Sequence, residues 1–119
     1  MVFGVFDGLH AGHRYFLNQA AKYGKLTIVV ACDASVQNLK NKTPKHSEEE
    51  RMAAIHTMMP EATVVLGDER QGTYEVVKNH RPAMICLGHD QNELGKDLQN
   101  KINSGDVDFI ELKTLRELP

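Results

Sequence analysis

The sequence predicts an α/β fold built on a parallel sheet. Two observations carry that expectation. Apolar, β-branched runs recur along the 119 residues, and most of them lead into a segment with helical periodicity. Repeated strand–helix alternation is the pattern of parallel strands joined by helical crossovers. In such sheets ligands bind outside the carboxyl ends of the strands, near the reversal of strand order.

Val2 to Phe6 reads as a first buried strand. Gly12 to Tyr23 places Phe16, Leu17, Ala20 and Ala21 on one helical stripe, with Gly24 closing it. Leu26 to Cys32 is a continuous run of the kind covered on both faces of a sheet. Asp33 to His46 is polar, carries Lys40, Lys42 and Lys45 around Pro44, and reads as a loop with a short helical piece near Val36 to Leu39. Ser47 and Glu50 spell a capping box that opens a helix to about Met59, and Pro60 stops it. Thr63 to Leu66 is a third strand, Thr73 to His80 a short helix, and Ala83 to Leu87 a fourth strand. After Gly88-His89-Asp90-Gln91 a helix is expected from about Asn92 to Ile102, ending near Ser104-Gly105. Val107 to Leu112 alternates as a last strand at a sheet edge.

A hydrophobic share of 41%, a charged share of 25% and a net charge of −2 are those of an ordinary soluble domain. No basic stripe or aromatic-rich stacking surface points to nucleic acid. No run approaches the roughly 20 apolar residues of a membrane span, and the apolar start lacks a basic leader. Cys32 and Cys86 stand singly inside apolar runs, which suits reduced, buried thiols and a cytoplasmic location. One domain over residues 1–119 is expected.

The chemistry concentrates in Gly4-Val5-Phe6-Asp7-Gly8-Leu9-His10-Ala11-Gly12-His13, between the first strand and the first helix. Two imidazoles three apart in a first helical turn lie on one face, roughly 5–6 Å apart at their Cβ atoms. A helix start also carries unpaired N–H groups and partial positive charge, a setting suited to a polyphosphate. The glycine spacing spells neither a dinucleotide fingerprint nor a P-loop. A zinc site would need ligands that do not stand beside the pair. A metal-binding α/β protein and a nucleotide-binding module without turnover remain as alternatives.

This run resembles the G-x-F-D-x-x-H-x-G-H signature of the cytidylyltransferase-like nucleotidyltransferases. That family includes glycerol-3-phosphate and ethanolamine-phosphate cytidylyltransferases, archaeal-type FAD synthases and phosphopantetheine adenylyltransferases. The resemblance implies a Rossmann-like, three-layer α/β fold with a five-stranded parallel sheet. It implies transfer of CMP or AMP from CTP or ATP to a small phosphorylated acceptor, with Mg2+ on the triphosphate. Carried over, His10, His13 and Lys42 are catalytic, contacting the triphosphate and the α-phosphate. Phe6, Asp7 and Gly12 line the phosphates, and Lys45 and Arg51 face the acceptor. Gly88 and Asp90 hold the nucleoside.

CTP with glycerol 3-phosphate is the slightly preferred pair. FMN adenylyltransferase is the alternative, because Leu87-Gly88-His89-Asp90-Gln91 resembles that group's segment. Two departures follow. The Ser/Thr-rich segment that binds β- and γ-phosphates in the family should start where Leu112 to Pro119 stands. Either that segment is missing, or the triphosphate is held differently, with Lys113 or Arg116 substituting in part. The family's arginine–aspartate pattern at the third strand is replaced by Met59-Pro60-Glu61-Ala62, which weakens the implied homodimer.

Overall fold

Val2–Gly4 forms β1 of the computed structural model, which describes residues 1–40 and 43–119. β1 pairs in parallel with β2 (Thr27–Val30), Val2 opposite Ile28 and Gly4 opposite Val30. β2 pairs in parallel with β3 (Thr63–Leu66). β4 (Met84–Leu87) and β5 (Glu111–Thr114) form a second parallel pair. Between the strands run α1 (Ala11–Ala21), α2 (Asp33–Lys40), α3 (Glu48–Met58), α4 (Glu75–His80) and α5 (Asn92–Ser104).

The α/β class and the parallel pairing are as expected, but the single five-stranded sheet is corrected to a three-stranded and a two-stranded sheet. The two meet edge to edge at Met1. Its main-chain nitrogen donates to Met84 O at 2.9 Å, and its carbonyl accepts from Cys86 N at 3.0 Å. Past Met1 the two sheets no longer pair as one ladder. Side chains alternate between two apolar clusters, the period of two that strands impose. Val2, Ile28, Val30 and Cys86 pack with Leu17 of α1 and Ile55 of α3. Phe3, Val29, Ile85 and Leu87 pack with Val77 of α4 and Leu98 of α5. Helices therefore cover both faces.

Local signals placed some element ends well and others poorly. The capping box forms: Glu50 N donates to Ser47 Oγ at 3.2 Å, and Ser47 N donates to Glu50 Oε1 at 3.1 Å. The lysine-rich stretch read as loop starts instead with a full helix, α2, anchored by buried Val36. Its first residue Asp33 and the first residue of α3, Glu48, cap each other reciprocally at 2.8 and 3.3 Å. α4 starts at Glu75 rather than Thr73, because Tyr74 takes a left-handed backbone with φ +51°. Asp68 receives the Thr73 hydroxyl and the Glu75 and Val76 N–H groups there. The last strand is Glu111–Thr114, not Val107 to Leu112; Val107 and Ile110 are buried in the approach to it. Cys32 and Cys86 are buried free thiols. Among the described residues no helix is long and apolar enough to cross a membrane.

Candidate functional site

The turn from β1 into α1 is built on a strained residue. Phe6 is buried with φ +54°, a conformation uncommon for a non-glycine side chain. Its ring folds back under Gly4, where a Cβ would lie 2.6 Å from the ring. Glycine at position 4 is what lets the ring lie there. His10 then caps α1 with its own side chain. Its Nδ1 accepts from Gly12 N at 3.1 Å and His13 N at 3.3 Å. A Cβ on Gly12 would come within 2.9 Å of the His10 ring, so the cap needs glycine there too.

This cap changes the chemistry expected of the helix start. Two of the first N–H groups are already engaged by His10 and are not free for an anion. An Nδ1 that accepts leaves the ring proton on Nε2, so His10 presents an Nε2–H donor instead. His13 stacks on it, centroids 3.7 Å apart and planes 18° from parallel, with the Phe6 ring edge-on at 5.4 Å. Burial holds the His13 imidazole below the ordinary histidine value, and the adjoining His10 adds to this; the Gly8 backbone and Asp90 oppose it. His13 Nδ1 is buried against the Gly8 backbone without a well-formed hydrogen bond.

Asp7 ties a second segment to this turn. Its carboxylate accepts from Lys45 N at 2.8 Å, from His46 N at 3.0 Å and meets His46 Nδ1 at 2.9 Å. The Lys45 backbone N–H, followed by the His46 contacts and against some desolvation, pulls the Asp7 carboxyl from 3.8 to about 2. A depressed folded-state value contributes stability above the unfolded value and loses it as pH falls through the folded one. Urea denaturation of wild type and Asp7→Asn should therefore show a constant gap above about pH 4 that closes on approach to pH 2. A gap of the same size throughout that window would refute the latch.

The turn forms the floor of a cleft of about 1260 Å³ at the carboxyl ends of β1 and β4. Phe6, Asp7, His10, Gly12 and His13 line it, and so do Gly88, Asp90 and Arg116. His89 and Glu117 close 2.8 Å apart near its rim. Lys45 stands beside the turn, held by its backbone. Lys42 lies outside the described residues. Lys113 does not reach the cleft; it lines a smaller groove with Tyr15, Lys22 and Tyr23.

Arg51 is turned inward rather than toward an acceptor. It is 1% exposed, and its guanidinium donates to His46 O, Val5 O, Ala31 O and Asp33 Oδ1 at 2.7–3.1 Å. Sequence reasoning missed Gln91, whose amide bridges Gly88 N and Phe3 O. It also missed Asp68 and the Tyr74–Asp97 pair, all on the cleft wall. Tyr74 Oη donates to Asp97 at 2.6 Å. Burial first, then Asp97, pushes the Tyr74 phenol well above its ordinary value. Only the Asp68 contacts had a local signal, an Asp a few residues before a helix start.

Known proteins resemble this chain along most of its length. The profile of the family described as Cytidylyltransferase-like matches residues 1–108. A protein named FAD synthase from Thermococcus sibiricus is 40% identical over 90 residues, covering 75% of this chain and 61% of the relative. Another so named, from Aciduliprofundum boonei, is 39% identical over 102 residues, covering 85% and 67%. The chain thus spans less than two thirds of the first relative's length. The crystal structure of the lipopolysaccharide core biosynthesis protein from Thermoplasma volcanium superposes with a TM-score of 0.81 at 35% identity, covering 98% of this chain and 93% of that one.

Proposed function

Because this chain belongs to the cytidylyltransferase-like family, we propose that it transfers AMP from ATP to the phosphate of FMN. The stacked His10–His13 pair on the cleft floor carries the reaction class. The names of the relatives supply donor and acceptor. They reverse the preference for CTP and glycerol 3-phosphate in favour of the FMN adenylyltransferase alternative. On this reading residues 1–119 act as one nucleotidyltransferase domain.

An FMN phosphate oxygen attacks the α-phosphorus of ATP and forms the new P–O–P bridge. The bond from the α-phosphorus to the β-bridging oxygen breaks, and pyrophosphate leaves. Charge gathers on the α-phosphate oxygens and on the leaving group, so fixed donors do most of the work. The His10 Nε2–H is preset by its cap. His13 starts neutral in a partly buried setting, and an arriving phosphate favours its protonated form. The Lys45 ammonium, tethered beside the turn through Asp7, serves the incoming acceptor phosphate. Asp90 is exposed on the cleft and suits acceptance from ribose hydroxyls.

Among the described residues no group of three or more His, Cys, Asp or Glu is placed to hold a metal. A magnesium ion carried by triphosphate oxygens and water would need little from protein ligands. When bound it would neutralise charge on the leaving pyrophosphate. The test is pyrophosphate release in a grid of ATP or CTP against FMN or glycerol 3-phosphate. Release with ATP and FMN is expected. Release with CTP and glycerol 3-phosphate instead, or tight nucleotide binding without release, would overturn the reading.

A further inference from the structure

The bonds at Met1 set a register between β1 and β4. Met1 bonds both Met84 and Cys86, so it stands opposite Ile85, and Phe3 falls opposite Leu87. In a parallel ladder Phe3 N–H to Cys86 C=O would follow, and beyond it Gly88 N–H to Phe3 C=O. The Gln91 side chain stands there instead. Gly88 N donates to Gln91 Oε1 at 2.8 Å, and Gln91 Nε2 donates to Phe3 O at 2.9 Å. One primary amide supplies both an acceptor and a donor. Each strand keeps its hydrogen bond while a side chain occupies the space between them.

The insertion coincides with the split between the two sheets. It also lies on the cleft, since Phe3, Gly88, Asp90 and Gln91 all line it. Gln91 is itself anchored, its backbone N donating to Gly88 O at 3.1 Å. The loop that carries Asp90 is therefore closed on itself at Gly88 and tied across to β1 by one amide.

We propose that Gln91 is a positioning residue whose amide, inserted in the β1–β4 ladder, holds the crevice open and fixes the Gly88–Asp90 loop for the nucleotide. The functional half of this inference rests on the nucleotidyltransferase reading; the inserted amide is a property of the ligand-free chain. Leucine at 91 would remove donor and acceptor together. Glutamate at 91 would keep the acceptor for Gly88, but its second oxygen would oppose the Phe3 carbonyl unless the carboxyl is protonated.

Two readouts test it in the full chain. The first is amide hydrogen exchange at Gly88 without ligand, compared with wild type at the same pH. The second is the split of KM for ATP from kcat, read by pyrophosphate release with FMN. For Gln91→Leu, Gly88 exchange should quicken and KM for ATP should rise, each roughly tenfold, with kcat at saturation changed far less. For Gln91→Glu, both defects should shrink as pH is lowered through the carboxylic-acid range. Unchanged Gly88 exchange in Gln91→Leu, or a pH-independent defect in Gln91→Glu, would overturn the inserted amide. Lost Gly88 protection with a wild-type KM would overturn the positioning role. If wild type releases no pyrophosphate with ATP and FMN, the proposed reaction fails. ATP affinity measured by calorimetry on the same variants then decides the positioning role.

Discussion

His13→Ala is expected to lower kcat for the proposed FAD formation by about 10²–10³, the loss of one well-placed donor to a developing oxyanion, roughly 3–4 kcal/mol. The geometry explains why His13 should matter beyond its charge. Its ring is clamped between His10 and the edge of Phe6, so its direction is set before substrate arrives. Folding should suffer little by comparison, because an aromatic pair is worth about 0.5–1.5 kcal/mol. Single-turnover kinetics beside a urea midpoint separates the two effects. Near-normal turnover in a folded variant would remove His13 from the chemistry.

The His10–His13 turn was legible in the sequence because its signal is local. Position in a strand–helix turn and a spacing of three suffice to put both rings on one face. The Ser47–Glu50 box was legible for the same reason. What escaped depended on partners distant in the chain. α2 is a helix partly because Glu48 caps Asp33, fifteen positions earlier. Gln91 matters because it reaches Phe3, 88 residues away. The sheet split coincides with that contact and has no signature in apolar runs. Lys113 misses the cleft because the last strand begins four residues later than its alternation suggests. Periodicity finds elements; it does not find the partners that fix their ends.

Arg51 gives the largest expected change in stability. Its side chain is fully buried, while that of its partner Asp33 is 43% exposed. Removing Asp33's charge leaves the buried guanidinium without its counter-ion, and removing the guanidinium strands the carbonyls of Val5 and Ala31. Those two carbonyls lie one residue past the ends of β1 and β2, and the His46 carbonyl belongs to the segment that Asp7 holds. One planar fork thus ties three chain segments together, a geometry lysine cannot reproduce. Each buried carbonyl left without its donor costs roughly 1–3 kcal/mol. Arg51→Met should lose roughly 3–5 kcal/mol in urea denaturation, and Asp33→Asn, which keeps an amide oxygen for the guanidinium but no counter-charge, roughly 1–3 kcal/mol. The acceptor-facing role predicts the opposite pattern. An Arg51 that touched FMN would leave stability intact on substitution and raise KM for FMN. An Arg51 that clamps the fold lowers the urea midpoint of Arg51→Lys while leaving KM for FMN in the folded enzyme unchanged.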